Sequence, residues 1–100
     1  MLQVSDGVTF GVGPAFSDLR NMHVDVGTFI REEDVTSRRR VVVLGRTVVR
    51  ELFGDENALG KYVRIGGDRY QVIGILEPKG RFLSFDLDDT AYIPVGRALK

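Results

Sequence analysis

Cysteine is missing from this 100-residue sequence, and so is an excess of charge of either sign. The lack of cysteine excludes disulfides, thiolate nucleophiles and zinc–thiolate sites. Lysine plus arginine number 14, as do aspartate plus glutamate, so no broad positive field is available to hold a nucleic acid or an anionic bilayer surface. We therefore expect no nucleic acid partner.

Long hydrophobic runs are missing as well. No apolar stretch approaches the ~20 residues of a membrane-spanning helix, and the first residues lack the basic and apolar segments of a secretory signal. A content of 43% hydrophobic and 28% charged residues is typical of one globular domain with one core. We expect residues 1–100 to form a single domain that is a fragment of a longer protein.

The centre of the chain predicts a buried strand followed by a helix. Val41–Leu44 is a continuous, mostly β-branched run, which is typical of a strand buried on both faces. From Arg46 the period changes: apolar residues recur four apart up to Phe53, which predicts a short amphipathic helix that ends at Gly54.

A β-hairpin is the strongest local signal. Residues 61–65 and 69–72 both alternate between apolar and polar, and Gly66, Gly67 and Asp68 between them accept the backbone conformations of a tight turn. We predict that Val63, Ile65, Tyr70 and Val72 share one face, and that the second strand continues to Leu76.

The flanking regions are less regular. They predict a strand at Val8–Val12, a short turn or helix at 14–20, an exposed acidic turn at 32–34, and a last strand at 90–93 that Pro94 ends. Alternation of Leu83, Phe85 and Leu87 with polar residues adds a further strand signal. The sum is an α+β fold with a mixed, mostly antiparallel sheet and one or two short helices.

Catalytic and cofactor motifs are weak in this sequence. The segment from Gly54 to Lys61 has the wrong glycine spacing for a phosphate loop and leaves a helix instead of entering one. His23 is the only histidine, so a metal site would need carboxylates for its other ligands. Asp86, Asp88 and Asp89 are the best cluster for a hard cation, but a charged sheet edge explains them better. We predict no enzyme activity, no cofactor and no metal.

The central block 41–80 resembles the MacB-like periplasmic core domain of ABC transporter permeases. The resemblance extends over about residues 20–97, from an acidic turn at Glu32, Glu33, Asp34 and Val35 to a closing strand at Tyr92, Ile93 and Pro94. Its most specific part consists of the runs Val41-Val42-Val43-Leu44-Gly45, Leu52-Phe53-Gly54-Asp55-Glu56-Asn57, Leu59-Gly60-Lys61, Val63-Arg64-Ile65-Gly66-Gly67 and Tyr70-Gln71-Val72-Ile73-Gly74-Ile75-Leu76-Glu77-Pro78-Lys79-Gly80.

This resemblance implies a non-catalytic domain on the periplasmic side of the bacterial inner membrane, inserted between two membrane helices of a permease. It also implies a periplasmic adaptor protein as partner, a transporter ATPase on another domain or chain, transmission of ATP-driven motion during export, and a homodimeric or heterodimeric parent. Relatives that serve in lipoprotein release or cell division keep those roles open as alternatives.

Charged loops are the candidate partner contacts, namely Asp55, Glu56, Asp86, Asp88, Arg38 and Arg39. Two further alternatives stay open. One is an enzyme fragment whose catalytic residues lie outside these 100 residues. The other is a small-ligand or substrate-binding module, for which Tyr70, Phe82, Phe85 and Tyr92 could line an apolar pocket. The same aromatic residues suit a hydrophobic core better.

Overall fold

The computed structural model describes residues 2–4, 8–19, 21–78, 81–82 and 85–95. Within these ranges the chain forms a mixed β-sheet with short helices on both of its faces. The strands, in chain order, are β1 (Leu2–Gln3), β2 (Val8–Val12), β3 (Val24–Gly27), β4 (Val41–Leu44), β5 (Tyr62–Ile65), β6 (Asp68–Leu76), β7 (Arg81–Phe82), β8 (Phe85–Asp86) and β9 (Thr90–Pro94).

In the part of the chain that the structure describes, three short α-helices and one 3₁₀ turn join the strands. They are α1 (Phe16–Leu19), α2 (Glu32–Thr36), α3 (Arg46–Phe53) and the 3₁₀ turn Leu87–Asp89. The amphipathic helix predicted after Gly45 is confirmed as α3, which buries Val48, Val49 and Phe53.

The main sheet has the strand order β1-β5-β6-β4-β9-β2, and β3 pairs with β6 beside β5. Among the described residues, β1–β5, β4–β6 and β2–β9 are parallel, whereas β5–β6, β3–β6 and β4–β9 are antiparallel. A separate pair, β7–β8, is also antiparallel. The predicted α+β class with a mixed sheet is confirmed.

Strand β4 lies at the centre and all four of its residues are buried. Because successive side chains of a strand point to opposite faces, β4 contributes to two hydrophobic clusters. The first cluster contains Val42 and Leu44 and lies under α3. The second contains Val41 and Val43 and is covered by the segments around Met22, Ile30 and Phe16.

An aromatic group fills the second cluster. Tyr92 is fully buried there, and the ring centroids of Phe10, Phe16 and Phe29 lie 6.3, 5.6 and 6.3 Å from its own. Phe16 and Phe29 stack at an interplanar angle of 5°. These contacts anchor β2, α1 and the segment after β3 on the sheet.

The end of β3 approaches β6 so closely that neither strand can carry a side chain there. A Cβ atom on Gly27 would lie 2.9 Å from the Cα of Gly74, and one on Gly74 would lie 3.0 Å from the carbonyl carbon of Thr28. The two glycines face each other in the register of the pair, so the backbone contact itself requires them.

Some predictions need correction. The acidic turn at 32–34 forms the first turn of α2, but Asp34 is 1% exposed, not solvated. Its side chain turns back and accepts a hydrogen bond from the main-chain N–H of Arg31 at 2.9 Å, which satisfies an otherwise unpaired helix N-terminal donor. Strands β1 and β3 were not predicted. In α1, Leu19 is 81% exposed, whereas Phe16 packs against the second hydrophobic cluster.

The hairpin prediction is confirmed, with a turn of two residues in place of three. Gly66 has a φ of 65°, as a type II′ turn requires at its first central position, and Asp68 already pairs with Ile65. The predicted alternation around Leu83 lies partly outside the described residues, whereas the last strand ends at Pro94 as predicted.

Candidate partner-contact surfaces

The loop between α3 and β5 holds two of the predicted contact residues, Asp55 and Glu56, both exposed. The loop is tied locally: the Oδ1 atom of Asn57 accepts a hydrogen bond from the N–H of Leu59 at 3.1 Å, and Lys61 Nζ donates to the carbonyl oxygen of Asn57 at 3.2 Å. The two carboxylates therefore stand on a short, fixed loop, which favours recognition because little order has to be gained on binding.

The second acidic segment follows β7. The main chain of Asp86 belongs to β8, but its side chain lies outside the described part of the structure. Asp88 is half-buried in the 3₁₀ turn. Its main chain rests against the start of α3, where a Cβ atom on Gly45 would lie 2.7 Å from the carbonyl carbon of Asp88. This segment is thus packed more closely than an open charged loop.

Arg38 and Arg39 follow the C-terminal end of α2. The N–H of Arg38 donates to the carbonyl oxygen of Val35 at 3.2 Å, and the N–H of Arg39 donates to that of Asp34 at 3.0 Å. This pair of bonds is the Schellman arrangement, and Arg38 adopts the left-handed φ of 52° that it demands. The Nε atom of Arg39 lies 4.0 Å from the buried Oδ1 of Asp34, with the arginine side chain 53% exposed.

The predicted contact residues do not form one patch. Asp55 and Glu56 follow the C-terminal end of α3 and Asp88 lies against its N-terminal end, which places them about 12 Å apart along an eight-residue helix. Arg38 and Arg39 follow α2, whose Val35 packs into the cluster on the opposite face of the sheet. Each group would need its own partner surface.

A further charged surface was not identified from the sequence. On β5 and β6 the residues that alternate with the buried ones form the outer side of the hairpin, which we call the arginine face: Tyr62, Arg64, Arg69 and Gln71. Arg64 and Arg69 are directly opposite each other in the register. The guanidinium carbon of Arg69 lies 4.5 Å above the ring centroid of Tyr62. The alternation that predicted the buried side also marked this one.

Metal-binding groups are not assembled in the described residues. Within them, no group of three or more histidine, cysteine, aspartate or glutamate side chains is placed to hold a metal ion. Of the aromatic residues considered for a pocket, Phe82 and Phe85 have side chains outside the described part of the structure. Tyr70 belongs to the first hydrophobic cluster and Tyr92 to the second. The sheet separates them, so they serve as core on opposite sides and do not line one shared cavity.

Comparison with protein families gives a match over nearly the whole chain. The model of the MacB-like periplasmic core domain matches residues 2–100. Among curated proteins, a "Macrolide export ATP-binding/permease protein MacB" from Bdellovibrio bacteriovorus is 38% identical over 89 residues, which is 89% of this chain and 14% of that protein. The protein of the same name from Wolinella succinogenes is 40% identical over 80 residues, or 79% of this chain and 12% of that protein.

Two solved structures share the fold. The periplasmic region of MacB from Actinobacillus actinomycetemcomitans superimposes with a TM-score of 0.78 at 27% identity, covering 91% of this chain and 39% of that one. The extracellular domain of the noncanonic ABC-type transporter YknZ from Gram-positive bacteria gives a TM-score of 0.72 at 25% identity, covering 87% and 42%. The chain thus spans about two fifths of these structures. None of the helices described here is both long and apolar enough to cross a membrane.

Proposed function

Because the chain belongs to the family of MacB-like periplasmic core domains, we propose that it contacts partner proteins outside the membrane and transmits ATP-driven motion to them during export. Family membership makes it an extracytoplasmic domain of an ABC transporter permease. The partner contacts, the transmission of motion and the membership of a longer polypeptide are the proposed part. They go beyond the relatives' names, which state macrolide export, ATP binding and a permease of those proteins.

The observation that carries the proposal is the two-sided core around β4. All four residues of this strand are buried, and hydrophobic clusters fill the space on both faces of the sheet. Closely packed interiors are poorly compressible. A displacement applied at one end of such a body moves the whole body, which is the property that rigid-body transmission between domains requires.

The proposed partners are a periplasmic adaptor protein, bound directly, and the transporter ATPase, coupled through the parent permease. The parent is proposed to act as a homodimer or heterodimer at the bacterial inner membrane. Of the candidate contact groups, the loop at Asp55 and Glu56 is exposed and is held by local hydrogen bonds. Arg38, Arg39, Asp86 and Asp88 are secondary candidates, since Arg39 lies 4.0 Å from the carboxylate of the buried Asp34 and Asp88 is half-buried.

Charge reversal in the intact parent permease tests the contact. The double variant Asp55→Lys/Glu56→Lys should lower co-purification of the adaptor about tenfold and lower export, while ATP hydrolysis by the permease alone is kept. Glu51→Lys is the matched control, because Glu51 is an exposed acid of α3 one turn before the loop. Unchanged adaptor binding and export in the double variant would remove this loop as the contact.

Softening the core tests the transmission. Leu44 is 0% exposed, so Leu44→Ala leaves a cavity at the centre of the sheet. In the parent permease we expect adaptor binding and ATP hydrolysis to persist at a temperature where the domain is still folded, while export per ATP hydrolysed falls. Export that remains proportional to ATP hydrolysis in this variant would contradict a mechanical role.

A further inference from the structure

We propose that the arginine face binds an acidic segment of a partner protein, with Arg64 and Arg69 each pairing with a carboxylate. This inference rests on the proposed function, because it supplies a surface and a partner chemistry for the contact. It names a surface separate from the Asp55 and Glu56 loop, so either surface can fail without the other.

The positive charges of Arg64 and Arg69 lie close enough to repel each other unless a negative charge neutralises them. They are cross-strand partners, so their Cβ atoms are about 4.5–5.5 Å apart on one face, and like charges in that arrangement repel. Both side chains are exposed. Among the residues that the structure describes, no carboxylate oxygen lies within 4.0 Å of either guanidinium group.

The nearest acid along the strand is engaged elsewhere. Asp68 follows the turn and is in register with Ile65, whose side chain packs toward the first hydrophobic cluster. Adjacent residues of a strand point to opposite faces, so Asp68 lies on the side away from Arg69. There its Oδ1 atom is 3.8 Å from Arg40 Nη2. The hairpin therefore leaves the charge on its outer face open to a partner.

The arginine face is also held in shape before any partner arrives. Arg69 lies on the ring of Tyr62 at 4.5 Å, an interaction that restrains a long side chain. Gln71 donates from Nε2 to the carbonyl oxygen of Gly60 at 3.2 Å. Restrained side chains lose less entropy on binding, and a guanidinium fork is suited to hold a carboxylate with two hydrogen bonds.

A protein segment fits this surface better than a membrane or a nucleic acid. Binding to anionic lipid by charge alone uses clusters of about 4–8 basic residues, and nucleic acid binding uses a broad positive field. Here two guanidinium groups stand close together on a chain of zero net charge. Short-range recognition of two or more carboxylates is the chemistry that such a pair offers.

The first experiment measures binding of a fluorescein-labelled hexaglutamate peptide to the purified parent permease by fluorescence anisotropy, with hexaglutamine as the neutral peptide. We expect saturable binding of hexaglutamate only, weakened by salt, and at least about tenfold weaker for Arg64→Glu or Arg69→Glu. Arg64→Glu places opposite charges across the hairpin, which favours the native pairing, so lost binding would not reflect unfolding. Arg50→Glu, the same charge change on the exposed side of α3, should bind within about twofold of the parent.

The second experiment finds the natural occupant. A photoreactive amino acid in place of Tyr62 in the parent permease in cells should cross-link to a separate protein, and Arg64→Glu should abolish that cross-link. Equal binding of hexaglutamate to Arg64→Glu and to the parent, or a cross-link only within the permease chain or to lipid, would overturn the inference. If Arg64→Glu leaves adaptor binding and export intact, this surface is not the contact and the proposed function stands; if the unmodified permease binds no adaptor, the proposed function itself fails.

Discussion

The two halves of β6 differ sharply although they belong to one continuous strand. Residues 72–76 run between β4 and β3, with Ile75 in the first hydrophobic cluster and Leu76 in the second. Residues 68–71 run along β5, with Tyr70 buried on one side and Arg69 exposed on the other. One half is core on both sides, and the other is core on one side and charged on the other.

Because of this difference, the two halves of β6 have different structural roles. The half that is buried on both sides fixes the strand within the sheet. The half that is buried on one side presents an outer surface, and its position is set by the fixed half. A contact made on the outer face at Arg69 is therefore connected through the main chain to the most buried part of the molecule. The following predictions test this division, and the first three each compare two residues of the same type.

The largest effect is expected at the buried side of the hairpin. Tyr70 is 4% exposed and Tyr62 is 44% exposed. Tyr70→Ala should lower the free energy of unfolding by about 3–5 kcal/mol, because it removes a large buried side chain. Tyr62→Ala should cost less than about 1 kcal/mol, mainly through the contact with Arg69. Chemical denaturation compares the two, and similar losses would mean that the outer side is part of the core.

In the two-sided half, Leu76 provides the next test. Leu76 is 2% exposed, whereas Leu19 of α1 is 81% exposed. Leu76→Ala should lower the free energy of unfolding by about 2–5 kcal/mol through lost burial and a residual cavity, and Leu19→Ala should change it by less than about 0.5 kcal/mol. Thermal unfolding monitored by circular dichroism measures both; a loss at Leu76 below about 1 kcal/mol would contradict a two-sided core in this half.

Gly74, in the two-sided half, and Gly67, in the turn just before β6, should respond differently to substitution by alanine. A Cβ atom on Gly74 would lie 3.0 Å from the Thr28 carbonyl carbon, whereas one on Gly67 would meet nothing within 4 Å. Gly74→Ala should cost about 1–3 kcal/mol because β3 has to move away from β6. Gly67→Ala should be neutral or slightly stabilising. Hydrogen exchange of the amides of β3 shows whether the pairing with β6 loosens, and unchanged protection would argue against the close approach.

The smallest effect has the opposite sign. Arg64→Glu replaces a like-charge pair across the hairpin with an attractive one, so it should raise the free energy of unfolding by about 0.2–1 kcal/mol. Added salt should stabilise the unmodified hairpin slightly by screening the repulsion, and should weaken the gain in the variant. Denaturation at low and high salt measures this. A variant less stable than the unmodified chain at low salt would mean that Arg64 and Arg69 do not repel each other.

The features predicted best from the sequence are those in which one segment carries its own pattern. The β-branched run of β4, the four-residue spacing of α3 and the alternation around Gly66 and Gly67 are local signals, and each element formed where it was expected. Strand β3 escaped prediction because most of its residues are exposed and its pairing partner, β6, lies almost 50 residues further along the chain.

The site was less accessible to sequence reasoning than the fold. The sequence around Asp34 is typical of a surface acid. Its carboxylate is buried because the main-chain N–H of Arg31 donates to it and the side chain of Arg39 lies beside it. The candidate loops were chosen for charge alone, which does not reveal that Asp88 packs against Gly45. Arg64 and Arg69 are five residues apart, and only the two-residue turn places them opposite each other.

The strand order has a geometric consequence for the outer strands. β1 and β2 occupy the opposite ends of the order β1-β5-β6-β4-β9-β2, about 24 Å apart if the six strands lay flat at the usual spacing. The five residue steps from Gln3 to Val8 can bridge at most about 18 Å, so the sheet has to curve enough to bring its two outer strands closer than they would be in a flat sheet. A force that pulls β1 away from β2 would therefore act on both outer strands of the sheet at once and would have to flatten the sheet.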